Sequence, residues 1–182
     1  MLAPATDLEL RVARPDEFAL ILEIDNDSCR LYERFGVDLG ITDEHPFALA
    51  ERARWRSSVE RGAVFIARSR STNEDVGFAA CGFTDGAPYL DQLSVRLAAM
   101  QRGAGSLLIE RSVSWARELG GADIWLTTYN HLPFNRPMYE RRGFVVAPAS
   151  EWGPDLAHHV DEQRRALPLP DERVVMRRRT SA

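Results

Sequence analysis

The stretch "LDQLSVRLAAMQRGAGSLLIERSVSWARELG", residues 90–120, decides the fold class of this chain. An apolar run ends at Val95, a loop carrying Gly103 and Gly105 follows, and apolar residues then recur at helical spacing up to Gly120. The first backbone amides of such a helix lack partners and carry partial positive charge, so this loop is a candidate phosphate site. The sequence here predicts a strand, a glycine loop and a helix, as found in α/β proteins.

The other elements follow from hydrophobic periodicity on either side of this stretch. Residues 8–12 alternate as a strand, Pro15 begins a helix, and an irregular segment at 31–46 precedes a second helix that ends near Gly62. Three β-rich runs at 63–69, 75–83 and 87–95 predict successive antiparallel strands. After the central helix, strands at 122–128 and 144–148 enclose a short helix at 133–143, and a helix at 155–167 leads to a last strand near 172–177. This order predicts an α/β protein with a mixed sheet.

Length and composition predict one compact soluble domain. The chain has 182 residues, of which 45% are hydrophobic and 27% charged, and it contains neither an apolar run of membrane-spanning length nor a secretory signal pattern. We therefore expect a cytoplasmic protein without a membrane partner. The net charge is −4 and the one dense basic run is C-terminal, so we expect no nucleic-acid partner, and a cationic partner fits better. Cys29 and Cys81 have no metal-binding spacing and are expected to be buried thiols.

Three motifs, "LSV" at 93–95, "RGAGSLL" at 102–108 and "MYERRGF" at 138–144, occur in an order and spacing that resemble the GNAT superfamily of N-acetyltransferases. More narrowly, residues 126–144 look like a bacterial subgroup of that superfamily. The resemblance implies a single GNAT domain over residues 1–182, with a core at 8–147 and a C-terminal helix and strand at 151–179. It also implies a mixed, mostly antiparallel central sheet flanked by helices, in which parallel strands four and five splay apart at 90–95 and 124–128.

The resemblance implies acetyl-CoA as the acyl donor and no metal. It assigns the pantetheine arm to main-chain groups of the fourth strand, at Leu93, Ser94 and Val95. It assigns the pyrophosphate to the glycine loop, at Gln101, Arg102, Gly103, Ala104, Gly105 and Ser106. Met100 stands where the family has Gln or Arg, so a side-chain phosphate contact is lost unless Gln101 or Arg102 supplies it. Arg102 is equally explained as a solvated loop charge.

Two side chains are candidates for the proton transfers. Tyr139 matches the family's general acid, which protonates the departing CoA thiolate; the alternative is a packed tyrosine whose hydroxyl is capped. Asp91 is the one carboxylate in its strand, on the face opposite Gln92, and is nominated as the general base; the alternative is a strand-edge aspartate in solvent. A base is unnecessary if the amine arrives deprotonated. A strand bulge would free the amide of Val95 or Leu93 for the oxyanion.

Further residues are assigned by the same resemblance. Asn135 is expected to bond the cofactor arm or to fix the Tyr139 helix, with Asn130 a weaker candidate. Seven acids between the first two helices could attract a cationic amine, although solvated helix faces explain them equally well. They are Glu23, Asp25, Asp27, Glu33, Asp38, Asp43 and Glu44. His158 and His159 are expected on a solvated helix face and form no zinc motif.

The sequence therefore predicts an N-acetyltransferase that transfers the acetyl group of acetyl-CoA directly to a primary amine of a small molecule. A CoA-binding regulatory module without catalysis is one alternative, motivated by Met100 and by the uncertain base. An enzyme that acetylates a protein N-terminus or lysine is another, which a shallow, open cleft would favour. A homodimer through "WARELGG" and the terminal strand is left open.

Overall fold

The computed structural model describes residues 7–181, which form five helices and seven strands in the predicted order. The helices are α1 Phe18–Arg34, α2 Pro46–Glu60, α3 Ala104–Glu118, α4 Arg136–Glu140 and α5 Pro154–Ala166. The strands are β1 Leu8–Val12, β2 Val64–Ser69, β3 Asp75–Thr84, β4 Ala87–Val95, β5 Asp123–Tyr129, β6 Val145–Val146 and β7 Arg173–Arg179. Within these described residues, no helix combines the length and apolar character needed to cross a membrane.

All seven strands form one sheet in the order β1-β2-β3-β4-β5-β7-β6. Every neighbouring pair is antiparallel except β4 and β5, so the predicted mixed and mostly antiparallel sheet is confirmed. The parallel pair is in register only at Tyr89 and Trp125. Beyond Tyr89 the two strands diverge, as predicted, and a gap opens in the middle of the sheet.

The side chains of β2 alternate between the two faces of the sheet and pack against the helices that cover each face. Val64 and Ile66 pack under α1 and α2, whereas Phe65 and Ala67 pack on the other face against α3. Because successive side chains of a strand point to opposite faces, a run that is buried throughout can support a core on each side. The helix α5 joins α2 on the first face, where His159 lies 3.7 Å from Glu51.

Two local features differ from the predictions. First, α1 continues to Arg34, into the segment predicted to be irregular, because Tyr32 in its last turns packs against Val37, Tyr129 and Leu132. That packing provides the stabilisation that the polar sequence of this turn lacks.

Second, β4 carries its bulge at Asp91, since Leu90 pairs with Cys81 and Gln92 pairs with Ala80. A bulge was expected to free the amide of Leu93 or Val95, and the observed bulge lies before both residues. Because the bulge inserts one extra residue, Asp91 and Gln92 point to the same face of the sheet. Their contacts show this, since Asp91 bonds Arg54 of α2 and Gln92 bonds Asp25 of α1. The prediction that they occupy opposite faces is therefore wrong.

Candidate functional site

A cavity of about 550 Å³ lies where β4 and β5 diverge, closed on one side by the segment that joins α1 to α2. This volume is within the range of small-ligand sites. Four of the residues predicted to act in catalysis or in binding the cofactor line it together: Asp91, Leu93, Asn135 and Tyr139. The glycine loop does not line this cavity but lies at the start of α3, on the other face of the sheet.

The β5-facing edge of β4 is open from Leu90 onward, because the only paired position with β5 is at Tyr89. The side chains of Leu93 and Val95 pack against the core under α3, and the Ser94 hydroxyl donates to Asp25 at 2.7 Å. What Leu93, Ser94 and Val95 can offer a ligand in the gap is therefore their main chain. Free N–H and C=O groups along a strand edge are suited to an extended amide-containing chain.

The glycine loop has the conformation required to present free amides. Gly103 is left-handed at φ +94°, a value that favours glycine, and α3 begins at Ala104 without a side-chain cap. The first amides of α3 are thus left for another acceptor. Gly105 would tolerate a Cβ, whose nearest neighbour would be Val95 Cγ2 at 3.9 Å. Space inside the protein does not require glycine at 105, whereas a ligand lying on the amides would.

Arg142 was not singled out in the sequence, yet it reaches the first turn of α3. Its Nη2 donates to the Ser106 hydroxyl and its Nη1 to the carbonyl of Met138 at 2.9 Å, while its buried Nε has no acceptor among residues 7–181. Burial, followed by the charge of Arg141, lowers the pKa of Arg142. A cation beside free helix amides favours a phosphate group. Gln101 and Arg102 are exposed on the loop.

Tyr139 is 8% exposed and packs edge-on against Phe144. The hydroxyls of the other three tyrosines of the chain each have a partner. Tyr32 is bonded to Asn135, Tyr89 to Thr127 and Tyr129 to the Pro168 carbonyl. The Tyr139 hydroxyl has no such partner within the described part of the chain, so the capped alternative is not what the structure contains. Burial raises its pKa and keeps it protonated. The hydroxyl oxygen itself is not fully buried, so a ligand in the cavity can reach it and become its partner.

Asn135 holds the start of α4 in place. Its side-chain Nδ2 donates to the Tyr32 hydroxyl at 3.3 Å, and its main-chain carbonyl accepts from the amides of Met138 and Tyr139. These contacts tie the short helix that carries Tyr139 to α1, and a role of Asn135 in binding the cofactor arm stays a prediction. Asn130 instead accepts from Arg136 at 2.6 Å.

Asp91 is fully enclosed, with a side chain only 1% exposed and Arg54 Nη2 at 2.6 Å. The alternative of a solvated edge aspartate is therefore wrong. Burial raises the pKa of Asp91, and the Arg54 guanidinium opposes that shift. As a proton acceptor, Asp91 would have to act from within this ion pair.

Glu51 of α2 is a second buried carboxyl group in the cavity and was missed in the sequence. Its side chain is 12% exposed, and burial, followed by the charge of Asp91, raises its pKa to about 8. A signal was present, because Glu51 falls on the same helical face as the buried Ala48 and Trp55. A carboxyl group with such a pKa is suited to exchange protons near neutral pH.

His159 is buried, contrary to the expectation of a solvated face; only His158 is exposed. On α5 it shares a face with Leu156, Val160 and Gln163, which pack towards the sheet. Burial lowers the pKa of His159 to about 3, so the ring is neutral. Its Nε2 accepts from Gln163 Nε2 at 3.0 Å, which leaves the proton on Nδ1, 3.7 Å from Glu51 Oε1.

The acids predicted to attract an amine are largely engaged by other groups. Asp25 is buried and accepts from Ser94 and Gln92, Glu23 pairs with Arg96, and Asp43 pairs with Arg52. Arg30, Arg52 and Arg173 also line the cavity, so its charge is mixed rather than acidic. Within residues 7–181, no group of three or more His, Cys, Asp or Glu side chains is arranged to hold a metal ion.

Comparison with known proteins gives one family and many similar folds. The model of the acetyltransferase (GNAT) family matches residues 38–144. An acetyltransferase of the GNAT family from Staphylococcus aureus Mu50 is 12% identical, with a TM-score of 0.69 and coverage of 96% of this chain and 99% of that one. The PaiA N-acetyltransferase of Thermoplasma acidophilum, in complex with coenzyme A, is 12% identical, with a TM-score of 0.66 and coverage of 94% and 98%.

A third similar structure is the N-acetylglutamate synthase of Neisseria gonorrhoeae, complexed with coenzyme A and N-acetyl-glutamate. It is 18% identical, with a TM-score of 0.65, and the match covers 96% of this chain. The chain spans only 35% of the length of that synthase. At these identities the likeness concerns the fold.

Proposed function

Because this chain belongs to the GNAT family of acetyltransferases, we propose that it transfers the acetyl group of acetyl-CoA to the primary amine of a small molecule, by direct attack in a ternary complex. One observation carries the proposal. The Tyr139 hydroxyl has no hydrogen-bond partner within residues 7–181 and is accessible from the cavity at the point where the two parallel strands separate.

The donor site proposed here uses three features of the chain. The open edge of β4 at Leu93, Ser94 and Val95 would pair with the amides of the pantetheine arm. The amides at the start of α3, at Gly103 to Ser106, would hold the pyrophosphate. Arg142 adds a positive charge there and would replace the contact that is lost at Met100.

Tyr139 would act as the general acid. The amine nitrogen attacks the thioester carbonyl, the tetrahedral intermediate collapses, and the carbon–sulfur bond breaks. The sulfur then takes the phenolic proton, and the tyrosinate is reprotonated from solvent. Since burial raises the pKa of Tyr139, the phenol stays protonated until a thiolate forms beside it.

The base that removes the amine proton is proposed from two buried carboxyl groups. Asp91, the residue nominated from the sequence, is held by Arg54. Glu51 has no arginine within 4 Å among residues 7–181, and its pKa of about 8 means that it would accept a proton from an ammonium group mainly above neutral pH. Variants of both residues are needed to assign the role.

The shape of the cavity supports a small acceptor over a protein one. The segment between α1 and α2 lines the cavity from Val37 to Asp43, so one side of the acceptor region is covered, unlike in a shallow, open groove. An extended peptide would need such a groove. A cavity of about 550 Å³ can hold a metabolite-sized amine beside the acetyl group.

The proposal is tested in two steps. Thermal unfolding with acetyl-CoA, CoA and an unrelated nucleotide comes first, because a ligand at a hundredfold excess over its dissociation constant stabilises the folded state by about 2.7 kcal/mol. Thiol release is then followed with a panel of amines. Tyr139→Phe should lower kcat by roughly 10²-fold or more without loss of stability, since its hydroxyl has no partner to lose.

Tyr89→Phe is the matched control. It removes a hydroxyl that bonds Thr127 at 2.9 Å, so stability should fall by about 1 kcal/mol while thiol release continues. CoA binding without thiol release from any amine would support a non-catalytic module instead. Equal rates for Tyr139→Phe and wild type would remove the tyrosine from the mechanism.

A further inference from the structure

Arg173, at the start of β7, is a buried cation without a carboxylate partner. It is 8% exposed and lines the cavity that contains Tyr139. Both of its hydrogen bonds come from Nη2, to Thr127 Oγ1 at 3.0 Å and Gln163 Oε1 at 2.7 Å. Its Nε is fully buried with no acceptor, and no carboxylate within residues 7–181 lies within 4 Å of its guanidinium group.

Arg142 and Arg164, like Arg173, have a buried Nε without an acceptor among residues 7–181, but other partly buried arginines have counter-ions. Arg54 pairs with Asp91 at 2.6 Å, and Arg11 pairs with Glu17 at 2.7 Å. A buried charge is costly unless it is paired, so charged groups of this kind normally meet an opposite charge. Arg173 lacks one among residues 7–181, and the cavity on which it lies is accessible to a ligand.

The guanidinium group of Arg173 is also held rigidly. Gln163 and Thr127 anchor Nη2, and the guanidinium carbon lies 4.8 Å from the centre of the Tyr129 ring. Gln163 is itself fixed, because its amide nitrogen is bonded to His159. A donor group that is already oriented loses little conformational freedom when it binds an anion.

We propose that the acceptor amine also carries a carboxylate, that Arg173 binds this carboxylate, and that the substrate class is therefore amino acids. This inference rests on the proposed function and adds the identity of the acceptor. The mixed charge of the cavity fits a zwitterion, since acidic residues such as Asp38 and Asp43 line it together with the Arg173 cation. Planar carboxylates match the geometry of guanidinium donors.

The test compares matched acceptors with acetyl-CoA and the intact protein. Each proteinogenic amino acid is assayed for thiol release beside its carboxamide and its decarboxylated amine. Both analogues keep the amine and lack the negative charge of the carboxylate. The wild type should prefer the acid of at least one set, in kcat/KM, by roughly 30-fold or more, the loss expected when one partner of a buried charge pair is removed. Arg173→Gln should abolish that preference, so that the acid and its carboxamide react with equal kcat/KM within each set.

Two further variants are included. Arg179→Gln makes the same substitution on the same strand at an exposed position and should behave as wild type. Arg173→Lys keeps the positive charge and should retain part of the preference for the acid. If circular dichroism shows that Arg173→Gln does not fold, the test is whether this preference is smaller in Arg173→Lys than in the wild type. Acid and carboxamide acetylated equally in every set, or a preference that survives in Arg173→Gln, would overturn the inference.

Failure of the proposed function is recognised separately. If acetyl-CoA binds and no acceptor releases thiol, binding of the same amino acids and carboxamides to the CoA-saturated protein is measured by calorimetry. Binding of acids alone, lost in Arg173→Gln, would uphold a carboxylate site in a protein that is not catalytic. Absence of any such binding would reject both the proposed acetyl transfer and the carboxylate site at Arg173.

Discussion

Glu51 should reduce the stability of the folded protein at neutral pH, so Glu51→Gln is expected to stabilise it. The folded-state pKa is about 8, against 4.5 for the ordinary group, because the side chain is enclosed between α2 and α5. Between these two values the folded protein retains a proton that the unfolded chain has lost. The free energy of unfolding must therefore decrease as the pH rises through this window.

The size of the effect follows from the two pKa values. The contribution of Glu51 is near zero well below pH 4.5, amounts to a loss of about 3 kcal/mol at pH 7, and levels off above pH 8 at about 5 kcal/mol. Glu51→Gln keeps the shape of the side chain and lacks this titration. For a chain of this length, about 3 kcal/mol corresponds to a rise in Tm of roughly 6–12 °C at pH 7.

The assay is urea unfolding of wild type and Glu51→Gln at pH 4.5, 7 and 8.5, with thiol release measured in parallel. Glu60→Gln is the control, because Glu60 lies on the same helix in an exposed position and should give no pH-dependent difference. A gain in stability that grows with pH, together with loss of activity, would show that the cavity keeps a costly carboxyl group for function. A difference that is constant with pH would refute the reasoning.

The glycine loop and Arg142 give two further predictions. Gly105→Ala should raise stability by about 0.5–1 kcal/mol and weaken acetyl-CoA binding, whereas Gly103→Ala should lose about 1–2 kcal/mol because of its positive φ. Urea unfolding and CoA titration measure both, and wild-type CoA affinity in Gly105→Ala would contradict the placement of a ligand on these amides. Arg142→Gln should raise the dissociation constant of acetyl-CoA about tenfold in calorimetry and leave S-acetyl-pantetheine, which lacks the pyrophosphate, unaffected. Equal losses for both ligands would place Arg142 away from the phosphates.

Sequence alone determined the order of the elements and the centre of the fold. The strand, glycine loop and helix at residues 90–120 could be predicted because periodicity and glycine conformation depend on neighbours along the chain. The splayed strands, the position of Gly103 at the start of α3 and the placement of Tyr139 on a short helix were predicted from motifs and are found in the structure. Which partner each side chain meets was not part of that information.

Tertiary structure decided the chemistry of the cavity. Asp91 became an enclosed ion pair because β4 bulges there and α2 lies above it, and the Tyr139 hydroxyl has no partner among residues 7–181. Arg173 and Glu51 fall in phase with buried neighbours, so their burial could have been suspected from the sequence, but their pairing could not. Periodicity tells which side of an element is inside, whereas the charge and hydrogen-bond state of a buried group depend on residues that only folding brings together.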